Sequence, residues 1–325
     1  MRHRLRSATR VALALLIAAM GVLCSAGSVS AATPAPAPGQ LPRLSAAALA
    51  PLYAANRSYL RRAERMSTRA GLTDRASALG RMAAADRTFL EADARGTGRL
   101  VEVHGDLARA RNIVVFVPGA DTTVASFDAG DSQRPWLHAQ GGARALHRAI
   151  AAQPGAPDTA VIDWLGYRAP ELLSTEVMSD ELADPGARAL RDFITRLHRL
   201  HPSSVRLLCH SYGSVVCGKA VRDGAEVRDL AVFGSPGTGV DSRRQLHTRA
   251  RVWAGRSSND WIGSVPHLRV DFLGATFGFG ADPARPSFGA RSFPAGRGEH
   301  GEYLRPGGPA LRSLAAIAVG RRPVG

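Results

Sequence analysis

From residue 112 onward the chain alternates short, almost unbroken apolar runs with longer segments whose apolar residues recur every third or fourth position. The runs are "NIVVFV" (112 to 117), "TAVID" (159 to 163), "VRLLC" (205 to 209), "DLAVF" (229 to 233), "ARVWA" (250 to 254) and "LRVDFL" (268 to 273). Such runs predict strands covered on both faces. Segments 135 to 153, 186 to 201 and 212 to 223 carry helical spacing instead. Ahead of them, "RTFLEADARGTGRLVEVHGD" joins two alternating runs through Gly-Thr-Gly, the pattern of a β-hairpin. A hairpin followed by strand-helix repeats predicts an α/β domain over residues 86 to 325. Its sheet is mainly parallel, with an N-terminal antiparallel hairpin and helices on both faces.

The first 85 residues read differently. Arg2, Arg4, Arg6 and Arg10 precede an apolar stretch from Val11 to Leu23, and small residues then lead to Ala31. Residues 1 to 31 are expected to be a secretory signal peptide cleaved after Ala31. Residues 32 to 43 form a Pro/Ala-rich linker, and 44 to 85, rich in Ala, Leu and Arg, a helical lead-in. This leader implies a secreted or cell-envelope location.

Charge changes the picture little. The formal net charge is +15, and four of the arginines responsible fall in the leader. The rest are scattered, with no basic helix, no aromatic-interleaved basic patch and no zinc spacing, so no specific nucleic-acid partner is expected. Attraction to anionic envelope surfaces stays open. Of the 3 cysteines, only Cys209 and Cys217 lie beyond the leader, and their spacing leaves open whether they are bridged.

The chemistry centres on "CHSYG", at the corner between the run ending at Cys209 and the helical segment after it. It matches G-x-S-x-G at Ser211 and Gly213, with Cys209 in place of the first glycine. A serine on a sharp strand-to-helix turn needs small residues two positions to either side, or strand and helix collide. The turn would lift Ser211 above the sheet and aim the helix N-terminus at developing negative charge. A serine hydroxyl also needs a base. In the Ser, acid, His order that usually accompanies this turn, the base lies downstream, where His247, His267 and His300 are available. His300, in the glycine-rich "GRGEHGEYL", is preferred. Asp260, beyond the run "ARVWA", is the preferred acid, ahead of Asp241 and Asp271. Oxyanion donors are expected from the backbone of Tyr212 and of Gly119 or Ala120, after the strand that ends in Pro118. Trp164 and Tyr167, in "DWLGYRAPE", are candidate pocket-lining residues. No His/Asp spacing supports a metal at Asp121 or Asp163, and no cofactor is expected.

Taken as an ordered set, "VFVPGADT", "IDWLGYRAPE", "LLCHSYGSVVCGKA", "VFGSPGTGVD", "SSNDWI" and "GEHGEYL" resemble an actinobacterial α/β-hydrolase family of unknown function whose members are regarded as serine hydrolases. The resemblance spans roughly residues 86 to 320 and departs at Cys209, where the family pattern more often has glycine. It implies an α/β-hydrolase fold with Ser211, Asp260 and His300 as a triad, and no substrate. The expected activity is hydrolysis of a small-molecule or lipid ester through an acyl-enzyme. An amidase or acyltransferase would use the same groups. A catalytically silent envelope or extracellular binding protein on this fold is the alternative of a different class.

Overall fold

The computed structural model describes residues 33–39, 43–128, 133–172, 174, 182–200, 204–265, 267, 270–272 and 275–323. The apolar run Asn112–Val117 forms a strand, β3, that is buried at every position. Its neighbours in the sheet explain why. The hairpin strands β1 (Thr88–Asp93) and β2 (Arg99–His104) come first in the sheet order, followed by β4 (Thr159–Leu165), β3, β5 (Ser204–His210), β6 (Asp229–Phe233), β7 (Arg251–Gly255) and the two-residue β10 (Arg291–Ser292). β1 with β2 and β2 with β4 are antiparallel, and every pairing beyond β4 is parallel. The chain winds one way from β3 to β4 and crosses back to β5. The carboxyl ends of β3 and β5, side by side, therefore form the crevice where open α/β sheets place their sites.

The sixth apolar run behaves otherwise than the strand-helix pattern suggests. Val270–Phe272 (β8) pairs with Ala275–Phe277 (β9) in a separate antiparallel hairpin, outside the main sheet. Its partner lies only two residues further along, so closing this hairpin orders a much shorter loop than a crossover to the main sheet would. The outermost parallel position goes instead to β10.

Helices cover both faces of the sheet. α3 (Ala139–Ala151) packs on β4 and on the last helix, α6 (Pro309–Ala318), whereas α4 (Ala183–Leu200) packs on α5 (Gly213–Arg222). In α4 the buried positions Ala183, Ala187, Leu190, Ile194 and Leu197 recur at intervals of four and three, the stripe that the sequence spacing predicts. α5 is buried from Gly213 to Val221, lysine included, and Lys219 is ion-paired to Asp184 on α4.

The lead-in forms two helices, α1 (Ala46–Arg69) and α2 (Thr73–Met82), whose apolar faces join the core of the sheet domain. A shift of register between Phe89 and Glu91 interrupts the β1–β2 ladder. The Asn56 amide of α1 donates there to the carbonyls of Phe89 and Leu90, at 2.8 and 2.9 Å. This satisfies backbone groups at an irregular sheet edge.

At the opposite end of the sheet from the crevice, Asp229 is fully buried and accepts from Arg206 Nε at 3.0 Å, Arg251 Nε at 2.7 Å and Trp253 Nε1 at 2.9 Å. Asn112 extends this network by donating to the carbonyl of Ala318 in α6 at 2.8 Å. Polar side chains thus tie four strands and the last helix together where no ligand crevice is needed.

Candidate active site

At the end of β5 the backbone of Ser211 turns to φ +52°. A residue other than glycine held in the left-handed region is uncommon and marks a constrained position. Two close approaches set the constraint. A Cβ on Gly213 would lie 2.5 Å from the Pro118 carbonyl oxygen, and one on Gly119 would lie 2.6 Å from Cβ of Ser211. Only glycine fits at either place. The loop after β3 therefore runs directly beside the serine at Gly119. Cys209, where glycine is the commoner residue, is bonded to Cys217 of α5 in a disulfide that spans the turn.

Three distant segments meet at the hydroxyl. His300 Nε2 lies 2.9 Å from Ser211 Oγ, and His300 Nδ1 lies 2.9 Å from Asp260 Oδ1. With Nδ1–H donating to the carboxylate, Nε2 is left to accept the serine proton. Asp260 is itself held from three sides. Its Oδ1 also accepts from the Ile262 amide at 2.9 Å, as the cap of the short 3-10 turn Trp261–Ser264, and its Oδ2 accepts from the Tyr303 hydroxyl at 2.6 Å. Burial alone would raise the Asp260 carboxyl. The hydrogen bond and charge of His300, helped by Tyr303 and the Ile262 amide, outweigh it and hold the group below the usual range. Burial and the neighbouring carboxylate both raise the Tyr303 hydroxyl, which keeps its proton and stays a donor.

His210, just before the serine, is partly buried in the cavity wall and donates Nε2–H to the carbonyl of His300 at 2.8 Å. Burial, reinforced by the nearby His300, pushes its imidazole down to about 3, so it stays neutral across the physiological range. The serine turn and the loop that carries His300 are thereby tied to each other through one imidazole.

Gly119, Ala120, Ser211 and His300 line a cavity of about 220 Å³ whose apolar walls include Phe116, Trp136, Leu137, Phe233 and Leu304. The loop along one wall is fixed in place. The Asp121 amide donates to the Pro170 carbonyl at 2.9 Å, and Asp121 Oδ1 accepts from the Leu172 amide at 2.8 Å. Trp164 and Tyr167 do not line this cavity, which corrects their reading as substrate contacts. Both are almost fully buried, and Trp164 stacks on Tyr167 and packs against Phe193 of α4. Strand alternation turns Trp164 into the helical layer, and Tyr167 follows it there. Tyr167 still reaches the site indirectly, because its hydroxyl donates to the Pro118 carbonyl at 2.8 Å.

The other candidates lie apart from the serine. Asp241 accepts from the Ala281 amide, His267 lies 4.0 Å from Asp282, and His247 ends a short turn with left-handed backbone. Asp271 is in β8. Sequence reasoning missed His210 and Tyr303. The first adjoins Ser211 and the second lies three residues after His300, so proximity to each chosen residue was the available signal.

A family model described as alpha/beta hydrolase matches residues 93–270. Uncharacterized protein Rv2079 of Mycobacterium tuberculosis is 31% identical over 254 residues, covering 69% of this chain and 37% of the relative. The chain thus spans little more than a third of that relative's length. Uncharacterized protein Rv0963c of the same organism is 34% identical over 145 residues, covering 44% and 53% of the two chains. Among solved structures, an esterase from Pyrobaculum calidifontis overlaps with a TM-score of 0.44 at 13% identity, covering 82% of this chain and 97% of its own. Esterase PE8 overlaps with a TM-score of 0.43 at 13% identity, covering 66% and 95%. The family match takes in β2 through β7, with the serine turn and Asp260 inside it, and this chain belongs to the alpha/beta hydrolase family.

Proposed function

We propose that this protein is an exported serine hydrolase that cleaves carboxylic esters through an acyl-enzyme, with Ser211 as nucleophile, His300 as base and Asp260 as the orienting acid. The observation that carries the reading is the unbroken relay of two 2.9 Å contacts from Ser211 Oγ through His300 to Asp260. His300 takes the serine proton as Oγ adds to the ester carbonyl carbon. The carbonyl oxygen becomes anionic and turns toward the amides of Tyr212 and of Gly119 or Ala120. Collapse of this adduct breaks the carbon–oxygen bond, and the leaving alcohol takes the proton from His300. Water then repeats the sequence, giving its proton to His300 and its oxygen to the acyl carbon, and acid departs as Ser211 recovers its proton.

Export is part of the same reading. It is supported by the leader pattern of residues 1 to 31, which lie outside the described residues, and by the Cys209–Cys217 disulfide, a bond that persists in oxidising compartments.

The test is covalent labelling of the purified protein with a fluorophosphonate. The wild-type chain is expected to be labelled at Ser211 and the Ser211→Ala variant to remain unlabelled. A folded wild-type chain that takes no label would favour a silent binding protein on this fold.

A further inference from the structure

Trp261 stands out once the other tryptophans are located. Trp164 and Trp253 are buried at 1% and 3% exposure, and Trp136 is partly buried in the cavity wall, but Trp261 is 45% exposed. It is the first residue of the turn that Asp260 caps, and the next side chain, Ile262, is the one that turns inward. An exposed apolar side chain standing alone is ordinary on a protein surface. This one is singled out by its position, because the indole lies against the His300 imidazole with ring centroids 4.8 Å apart. Trp261 nevertheless does not line the cavity beside Ser211. The cavity and the indole are two separate surfaces that meet at His300.

Resting on the ester-hydrolase reading above, we propose that the exposed indole of Trp261 is the subsite for the leaving alcohol, and that the preferred substrates are esters whose alcohol presents a flat ring face. The assignment of the two surfaces follows from the order of events. The acyl group is carried on Ser211 between the two half-reactions and is suited to the cavity beside it, where apolar walls hold it. The alcohol must receive its proton from His300 and then diffuse away, so it belongs on the open side of the imidazole. An alcohol there meets the indole. Aromatic rings and the C–H faces of sugar rings both stack on such a surface, whereas a short alkyl alcohol covers little of it.

The test compares kcat/KM for benzyl acetate, 6-O-acetylglucose and methyl acetate, whose leaving groups are all unactivated alcohols joined to the same acyl group. Wild-type protein is expected to favour at least one ring-bearing ester over methyl acetate, and which one identifies the ring as aryl or sugar. In Trp261→Ala that ratio should fall about tenfold, a size consistent with losing one stacking surface. Trp261→Phe should keep the ratio within about threefold of wild type, since a smaller aromatic face remains. A ratio unchanged in Trp261→Ala, whatever the absolute rates, would overturn the assignment and leave Trp261 as support for His300. Fluorophosphonate labelling of the same samples separates the failures. Labelled protein that turns over none of the three esters overturns the alcohol subsite while leaving the nucleophile intact, and unlabelled protein overturns the hydrolase reading itself.

Discussion

Tyr303 is the residue whose contribution is hardest to replace by a generic packing side chain. Its hydroxyl accepts from the Ser257 amide at 3.0 Å and donates to Asp260 Oδ2 at 2.6 Å, so it shares the carboxylate with His300. A hydroxyl proton bound to one oxygen withdraws charge from the other, which in the proposed mechanism tempers the pull of Asp260 on the imidazolium formed during attack. Tyr303→Phe keeps the ring and its packing on Phe233 and His210 but removes that proton. The more basic carboxylate then favours the protonated base, and the acid limb of the pH profile of kcat/KM is expected to move upward by about half a unit, a modest share of the shifts that neighbouring charges produce. A drop in thermal stability with the acid limb unmoved would make Tyr303 a packing residue only. The sign matters, because loss of a merely structural contact has no reason to move the profile toward higher pH.

At the scale of elements, the serine turn joins β5 to α5, and the disulfide closes a loop of 8 residues across it. Cross-linking a loop that short removes unfolded-chain entropy worth about 2–3 kcal/mol. The double variant Cys209→Gly/Cys217→Ala is expected to unfold that much more readily in a denaturant titration. Added reductant should lower wild-type stability and leave the variant unchanged; equal sensitivity of the two would mean that the bond contributes nothing. The same region marks what the chain pattern could reveal. β3 was legible from end to end because it is covered on both faces and every one of its residues is buried. Ser211, Asp260 and His300, whose side chains meet, were legible because the first two follow apolar strands and the third lies in a glycine-rich loop beyond them. Trp164 and Tyr167 misled because the sheet edge was legible and the direction of a side chain beyond it was not. The β8–β9 hairpin was hidden for a related reason: a short apolar run does not state which partner it will find. Tyr303 and His210 act through a second oxygen and a backbone carbonyl brought close only by the folded loop, which leaves no periodic trace.

For the molecule as a whole, the two ends of the sheet treat buried carboxylates in opposite ways. Asp229 is saturated by arginine and indole donors, whereas Asp163 of β4 is fully buried and neither of its oxygens has a hydrogen-bond partner among the described residues. Its cross-strand neighbour is Glu102, whose own carboxylate is taken by Arg87 at 2.7 Å. Burial first, and then the charge of Glu102, raise the Asp163 carboxyl well above its ordinary value, with Arg87 opposing them. The folded state therefore holds this proton more tightly than the unfolded chain does. Below about pH 4 both states are protonated and Asp163 costs nothing through ionisation. As pH rises the unfolded chain alone gives up the proton, and stability falls by about 1.4 kcal/mol per pH unit until the folded carboxyl titrates too. Asp163→Asn cannot ionise and removes that slope. Urea unfolding at pH 5 and pH 8 should find the variant gaining on the wild type as pH rises between the two. A gap that stays constant would mean that Asp163 is already charged in the folded protein, and that the sheet beneath the crevice holds a compensated ion there instead of a buried neutral acid.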